Sequence, residues 1–213
     1  MREDFEQIAA RLDLGRLSGR TVLITGSHGF IGSYLVRLLA HLGACEVVCM
    51  DNFVAGKKDS LSDLESDKIH LRELDVASEF AFVDTRADYV LHAASIAAPK
   101  FYKANPLETI RANALGTWNL LEWAAKAKPL SVVHFSSSEV YGDPTFACGK
   151  IPTPESYWGH ASFTGERACY DESKRFSETL CAIYHQKFGV PVKVVRPFNV
   201  YGPGARLDDG RVI

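Results

Sequence analysis

Short apolar runs alternate along this chain with longer segments of helical period. Thr21-Val22-Leu23-Ile24 is brief and rich in β-branched residues, as a buried parallel strand requires, and Tyr34-Leu35-Val36-Arg37-Leu38-Leu39 follows with helical spacing. Glu46 to Met50, Ile69 to Leu74, Tyr89 to Ser95, Val132 to Phe135 and Val192 to Pro197 predict five further strands. Pro106 to Lys126 predicts a long helix, with Pro106 at its first position and Leu107, Ile110, Ala114, Leu121 and Ala125 forming an apolar stripe. Another helix opens at Cys169, whereas Ile96 to Asn105 reads as a loop. Ahead of the first strand, Phe5, Ile8 and Leu12 predict a short amphipathic helix within Glu3 to Leu14. The pattern predicts an α/β fold, a parallel sheet with helices on both faces, in which residues 1–18 are a helical extension and residues 19–213 a single domain.

The first strand runs into Gly26, Gly29 and Gly32, spaced G-x-x-G-x-x-G, and then into a helix. Gly26 allows the chain to turn off the strand, Gly29 has no Cβ to obstruct a pyrophosphate, and Gly32 permits close packing, while the N-terminus of the helix offers N–H groups to the phosphates. Asp51 stands at the end of the second strand, about 20 residues past the glycines, where a carboxylate accepts the adenosine ribose hydroxyls. That charge opposes a 2′-phosphate, so NAD is expected rather than NADP. The Rossmann-type doubly wound sheet follows from this placement. Asn52 and Phe53 open a loop over the adenosine half, in which Lys57 and Lys58 read as solvated charges, and Asp75 and Val76 follow the third strand beside the adenine amino group. Small residues Ala93, Ala94 and Ser95 after the fourth strand leave room for a flat ring or a pyrophosphate.

Composition narrows the classes. The 213 residues are 46% hydrophobic, enough for a substantial core, and a net charge of −2 argues against a nucleic-acid surface. No run reaches the ~18 apolar residues of a membrane span, so a soluble cytoplasmic protein without a membrane partner is expected. Cys45, Cys49, Cys148, Cys169 and Cys181 contain no C-x-x-C pair, and the seven histidines have no ligand spacing; reduced thiols and no metal are expected. Trp118 and Trp123 read as packing residues, and Asn113 as a buried amide bonded to a nearby carbonyl.

The chemistry gathers late in the chain. The fifth strand exits into Ser136-Ser137-Ser138-Glu139-Val140-Tyr141-Gly142, at a carboxyl end where open parallel sheets place catalytic groups. Tyr170 and Lys174, four apart on a helix, project from one face. A tyrosine with an ordinary pKa near 10 is neutral at pH 7, and lowering it by roughly three units takes about 4 kcal/mol. A lysine ammonium, a cationic nicotinamide and the Ser137 hydroxyl together are expected to supply that.

This ordered set resembles the extended short-chain dehydrogenase/reductase superfamily, from Thr21 onward. Within it, Ala94-Ser95, Ala98-Pro99-Lys100-Phe101-Tyr102, Ser138-Glu139-Val140-Tyr141-Gly142-Asp143-Pro144, Tyr157-Trp158-Gly159-His160, Arg167-Ala168-Cys169-Tyr170-Asp171-Glu172 and Asp209-Gly210-Arg211-Val212 resemble the UDP-glucuronate decarboxylases. The resemblance implies a UDP-linked sugar oxidised at C4, decarboxylated and reduced again, with NAD regenerated in place. It implies catalytic roles for Ser137, Ser138, Glu139, Tyr170 and Lys174, and substrate contacts from Arg111 and Asn199. The cofactor set it implies is Gly26, Gly29, Phe30, Ile31 and Gly32 in the glycine turn, Asp51, Asn52 and Phe53, Asp75 and Val76, Ala93 to Ser95, and Asn113, Tyr170, Lys174 and Pro197. A homodimer and a C-terminal substrate domain largely absent from this chain are also implied. Ser138 stands where dTDP-glucose 4,6-dehydratases carry an Asp, which disfavours dehydration. A UDP-sugar 4-epimerase, such a dehydratase and a non-catalytic dinucleotide-binding regulatory protein are the alternatives.

Overall fold

The computed structural model describes residues 2–147, 152–206, 208 and 210. Cys148 and three residues of the last motif string, Asp209, Arg211 and Val212, lie outside the described residues. Six strands, β1 (Thr21–Thr25), β2 (Glu46–Asp51), β3 (Ile69–Glu73), β4 (Tyr89–His92), β5 (Ser131–Phe135) and β6 (Val192–Val195), form one parallel sheet in the order β3-β2-β1-β4-β5-β6. The order reverses between β1 and β4, and the crevice beyond their carboxyl ends is where such sheets bind ligands.

Around the sheet lie α1 (Arg2–Ala9), α2 (Phe30–Leu42), α3 (Pro99–Ala104), α4 (Pro106–Ile110), α5 (Gly116–Ala127), α6 (Pro144–Ala147) and α7 (Ala168–Phe188). Alternation along β1 divides the core. Val22 and Ile24 face Val36 and Leu39 of α2, whereas Leu23 joins Leu120, Leu121 and Ala124 of α5 and Leu180, Cys181 and Tyr184 of α7 on the other face. A strand covered on both faces reads as a continuous apolar run, which is why β1 was visible in the sequence.

Several elements depart from expectation. The segment read as a loop after β4 contains α3, because Pro99 takes a first-turn position where its fixed φ suits a helix and its missing N–H costs nothing. β4 stops at His92 rather than Ser95: the chain bends there to meet the glycine turn, and the Ala94 N–H donates to Thr25 Oγ1 at 3.3 Å. The long helix is interrupted by a π-helical turn at Arg111–Leu115. Its stripe does not all face inward, since Leu107 and Ile110 are exposed, together with Leu115 and Trp118. Trp118 is therefore not a core residue, whereas the Trp123 indole donates to the Thr85 carbonyl at 3.1 Å. The helix expected to reach Leu14 ends at Ala9; only Phe5 is buried, its ring centroid 6.4 Å from Tyr34 and 5.8 Å from His41, while Ile8 and Leu12 face outward.

Candidate active site

A cleft of about 530 Å³ runs across the carboxyl ends of the strands, from the glycine turn to the first turn of α7. At one end, Gly26 has φ +69°, a left-handed conformation that glycine adopts without strain. A Cβ on Gly26 would lie 2.7 Å from the Ala93 oxygen and the Ala94 nitrogen, and one on Gly32 would lie 2.0 Å from the Gly26 oxygen. The chain itself therefore requires these two glycines, Gly32 for its approach to the turn rather than to the sheet. A Cβ on Gly29 would meet only the Gly26 oxygen, at 3.3 Å, and Gly29 lines the cleft with Phe30 and Ile31.

The Asp51 carboxylate accepts the His28 and Phe53 N–H groups, each at 2.8 Å and each on a different oxygen. One bond per oxygen leaves acceptor capacity for ribose hydroxyls. Asn52, Asp75, Val76, Ala93, Ala94, Ser95 and Pro197 also line the cleft. Phe53 does not: with φ +57°, it turns its ring edge-on to His28, 4.9 Å away, beneath the Lys58 ammonium. Lys58 pairs with Glu73 at 3.0 Å, while Lys57 reaches the cleft wall. Ser95 Oγ is buried without a partner among the described residues. An open glycine turn at a helix N-terminus, a carboxylate with spare lone pairs and this orphaned hydroxyl form a donor and acceptor set that fits a dinucleotide.

Asn113 is placed differently. It is buried in the π-helical turn off the cleft wall, and its amide donates to Ser173 Oγ at 2.9 Å rather than to a carbonyl. Ser173 Oγ in turn donates to the Cys169 and Tyr170 carbonyls at 2.6 and 3.0 Å, so Asn113 steadies the turn that carries Tyr170.

The opposite end of the cleft brings the predicted residues together. Tyr170 and Lys174 are both buried on α7, with the Lys174 Nζ 5.8 Å from the Tyr170 ring centroid and donating to the Phe135 carbonyl at 2.7 Å. The Ser137 hydroxyl lies near the phenol and favours its ionised form. Ser137 caps a 3-10 turn at Ser138–Tyr141, in which the Ser138 N–H donates to the Pro197 carbonyl at 3.0 Å and Glu139 pairs with Arg167. Arg111 and Asn199 line the same cleft. The turn is held to α7 and β6 by Glu178, which accepts Ser136 Oγ and a forked pair from Arg196 at 2.8 and 2.6 Å.

Burial pushes Tyr170 up to about 12, and Ser137's opposing pull is outweighed with the help of the nearby Glu139 and Asp171 charges. Burial also lowers Lys174 to about 8. The protein's own groups thus hold the phenol protonated, and the expected acidification rests on the nicotinamide's positive charge. Two residues at this end carried no role in the sequence reading. Tyr102 stacks on Tyr170 with centroids 5.2 Å apart and planes 14° from parallel, and Arg167 lines the wall beside it. Tyr102 was hidden in the supposed loop, and Arg167 stood inside a motif string with no spacing of its own.

Asp171 gives a testable pH dependence. Burial lifts it from 3.8 to about 6 against the pull of Arg167, 3.8 Å away. The folded state therefore holds this proton more tightly than the unfolded chain, a contribution present at low pH and lost as the pH rises through about 6. Asp171→Asn removes that loss, so denaturant titrations should favour the variant increasingly as the pH rises from about 4 to about 6 and by a constant margin above that, up to about 3 kcal/mol relative to its balance at low pH. A pH-independent difference would contradict the assignment.

Residues 22–213 match the model of the NAD dependent epimerase/dehydratase family. The chain belongs to that family. UDP-glucuronic acid decarboxylase 5 of Arabidopsis thaliana is 42% identical over 197 residues, which are 92% of this chain and 55% of the relative. The chain spans about half the length of the curated relatives it matches. Among solved structures, UDP-N-acetylglucosamine 4-epimerase from Methanobrevibacter ruminantium, in complex with UDP-N-acetylmuramic acid, aligns with a TM-score of 0.77 at 26% identity over 90% of this chain and 59% of that one. UDP-glucose 4-epimerase from Thermus thermophilus, complexed with NAD, aligns with a TM-score of 0.71 at 29% identity over 87% of this chain and 57% of that one.

Proposed function

We propose that this chain forms the NAD-binding and proton-transfer part of a UDP-glucuronate decarboxylase that yields UDP-xylose through a 4-keto intermediate. The observation that carries this reading is the convergence of Tyr170, Ser137 and Lys174 at one end of a cleft whose other end is the glycine turn. The relatives named as UDP-glucuronic acid decarboxylases support the substrate, and the NAD-bound neighbour supports the cofactor. Residues 19–213 would be the dinucleotide-binding unit with the start of the substrate region, and residues 1–18 a helical extension.

A bound NAD would supply the acceptor, and later the donor, of the hydride at sugar C4. Tyr170 takes the proton of the C4 hydroxyl, Ser137 holds that oxygen as it becomes a carbonyl, and Lys174 would bond the nicotinamide ribose of the bound cofactor. The 4-ketone makes the sugar a β-keto acid. The C5–C6 bond then breaks, its electrons enter an enolate across C5, C4 and oxygen, and carbon dioxide leaves. Ser138 and Glu139 position a water whose proton is delivered to C5. Tyr170 finally returns its proton to the C4 oxygen, so the net change is loss of carbon dioxide with no net oxidation. Gly29 to Gly32 take the pyrophosphate, Asp51 the ribose and Asp75 the adenine, while Arg111 and Asn199 contact the sugar nucleotide.

Incubation with UDP-glucuronate, followed by mass spectrometry, is expected to show UDP-pentose and carbon dioxide without accumulation of NADH. A product of unchanged mass would instead identify an epimerase. The exposed stripe of Leu107, Ile110 and Trp118, with Phe176 and Ile183 of α7, supports a homodimer. The free thiols of Cys45, Cys49, Cys169 and Cys181 support a cytoplasmic location.

A further inference from the structure

Three segments reach the catalytic end of the cleft from different parts of the fold. The first turns of α7 bring Tyr170 and Lys174, the exit of β5 brings Ser137 to Glu139, and the exit of β6 brings Pro197 and Asn199. Proton transfer needs the Ser137 hydroxyl and the Tyr170 oxygen held in register, and a misplacement of about 1 Å in such a site can cost about 10²-fold in rate.

One cluster of side chains joins all three segments. Glu178 lies one helical turn beyond Lys174 on α7. Its Oε1 accepts the hydroxyl of Ser136, the neighbour of Ser137, together with Arg196 Nε at 2.8 Å, and its Oε2 accepts Arg196 Nη2 at 2.6 Å. Arg196 stands between β6 and Pro197, and its Nη1 donates to the Tyr141 hydroxyl at 2.8 Å and to the Glu155 carbonyl at 3.2 Å. The guanidinium carbon also lies 4.9 Å from the centre of the Tyr141 ring, at the last residue of the 3-10 turn. The turn is thus gripped at both ends, by Glu178 at Ser136 and by Arg196 at Tyr141. Ser136 is buried and the Glu178 side chain is 17% exposed, so water competes little for these bonds. A forked guanidinium–carboxylate pair fixes the orientation of both partners, which a single contact does not.

We propose that Glu178 and Arg196 are positioning residues for the proton transfer: their forked pair clamps the Ser136–Tyr141 segment to α7 and β6, and so sets the Ser137 hydroxyl against the Tyr170 oxygen. Neither is among the described residues that line the cleft, so they act through the turn and not on the sugar. The inference rests on the roles given above to Tyr170 and Ser137, and it holds whichever sugar is oxidised there.

Stopped-flow measurement of the first oxidation tests this at saturating NAD, with whichever of UDP-glucuronate and UDP-glucose the wild type oxidises. Glu178→Gln preserves the volume but removes the charge that holds Arg196, and it is expected to slow the oxidation by about 10- to 100-fold. In a Ser137→Ala background the same substitution should cost no more than about threefold, because the hydroxyl it positions is gone. Losses that multiply, or a Glu178→Gln protein that oxidises the sugar at the wild-type rate, overturn the inference and leave the role of Tyr170 intact. Ser136→Ala keeps the ion pair and deletes only its link to the turn. It should show the same pattern at about 3- to 10-fold, the worth of one hydrogen bond, and it decides the matter if Glu178→Gln does not fold. Hydrogen exchange supplies a readout apart from activity. The Ser138 and Glu139 amides, bonded to the Pro197 carbonyl and to Ser137 Oγ, are expected to exchange about tenfold faster in both variants, while the Gly26 amide on the Met50 carbonyl keeps its rate. Faster exchange at Gly26 as well marks a general loss of stability and overturns the inference, as does unchanged exchange at the turn. A wild type that oxidises neither sugar overturns the base role of Tyr170 and this inference with it.

Discussion

Replacing Tyr170 by Phe is expected to lower kcat on UDP-glucuronate by about 10²- to 10⁴-fold, the usual contribution of a positioned acid–base group, and to leave NAD affinity near wild type. The substitution is sterically quiet. The ring is buried and stacked on Tyr102, and Phe preserves both the filled volume and the stack. What disappears is the oxygen that faces Ser137 and carries the proton. Ser137 retains its own bond from the Glu139 N–H at 3.3 Å, so the 3-10 turn should persist. Stopped-flow measurement of the first oxidation and fluorescence titration of NAD read the two effects separately. If the variant keeps more than about a tenth of wild-type turnover, the proton is carried by another group.

The glycine turn gives the second large effect, as a contrast between two positions. Gly32→Ala places a methyl carbon 2.0 Å from the Gly26 oxygen, a backbone atom that cannot swing aside. Either the turn or the start of α2 must move, and a destabilisation of roughly 3 kcal/mol or more is expected, as for other overpacked core sites, together with loss of NAD binding. Gly29→Ala meets the same oxygen at 3.3 Å, and Gly29 already has an extended backbone, with φ −72° and ψ 172°, that alanine adopts freely. It should cost only about 1 kcal/mol of stability, while its methyl group obstructs the phosphates and weakens NAD binding by about tenfold or more, roughly the loss of one charge-assisted contact. Thermal melts and calorimetry on both variants check the division. Equal losses of stability would contradict it.

The fold was legible wherever burial on both faces left a continuous apolar run, as at β1, β2 and β5, and wherever glycine had a steric duty, as at Gly26 and Gly32. Tyr170, Lys174 and Ser137 were legible because α7 and the exit of β5 each declare themselves locally. The failures have a common origin in tertiary contact. Pro99 starts α3 in a segment whose aromatic residues read as loop, yet Tyr102 is buried because it stacks on a residue far along the chain. Leu107, Ile110 and Trp118 keep helical period but face outward, since periodicity marks an apolar face without saying what covers it. Local sequence supplies the serine beside Tyr170, but the burial that outweighs its pull is a property of the whole cleft.

The central claim is that one cleft oxidises a sugar at C4 and reduces the same carbon again without releasing the cofactor. UDP-glucuronate bearing deuterium at C4 tests it most directly, with the UDP-pentose product examined by mass spectrometry in ordinary water containing excess unlabelled NADH. The label is expected to remain in the product at C4, together with a slowed first oxidation. A product that forms with C4 carrying ordinary hydrogen would contradict the account.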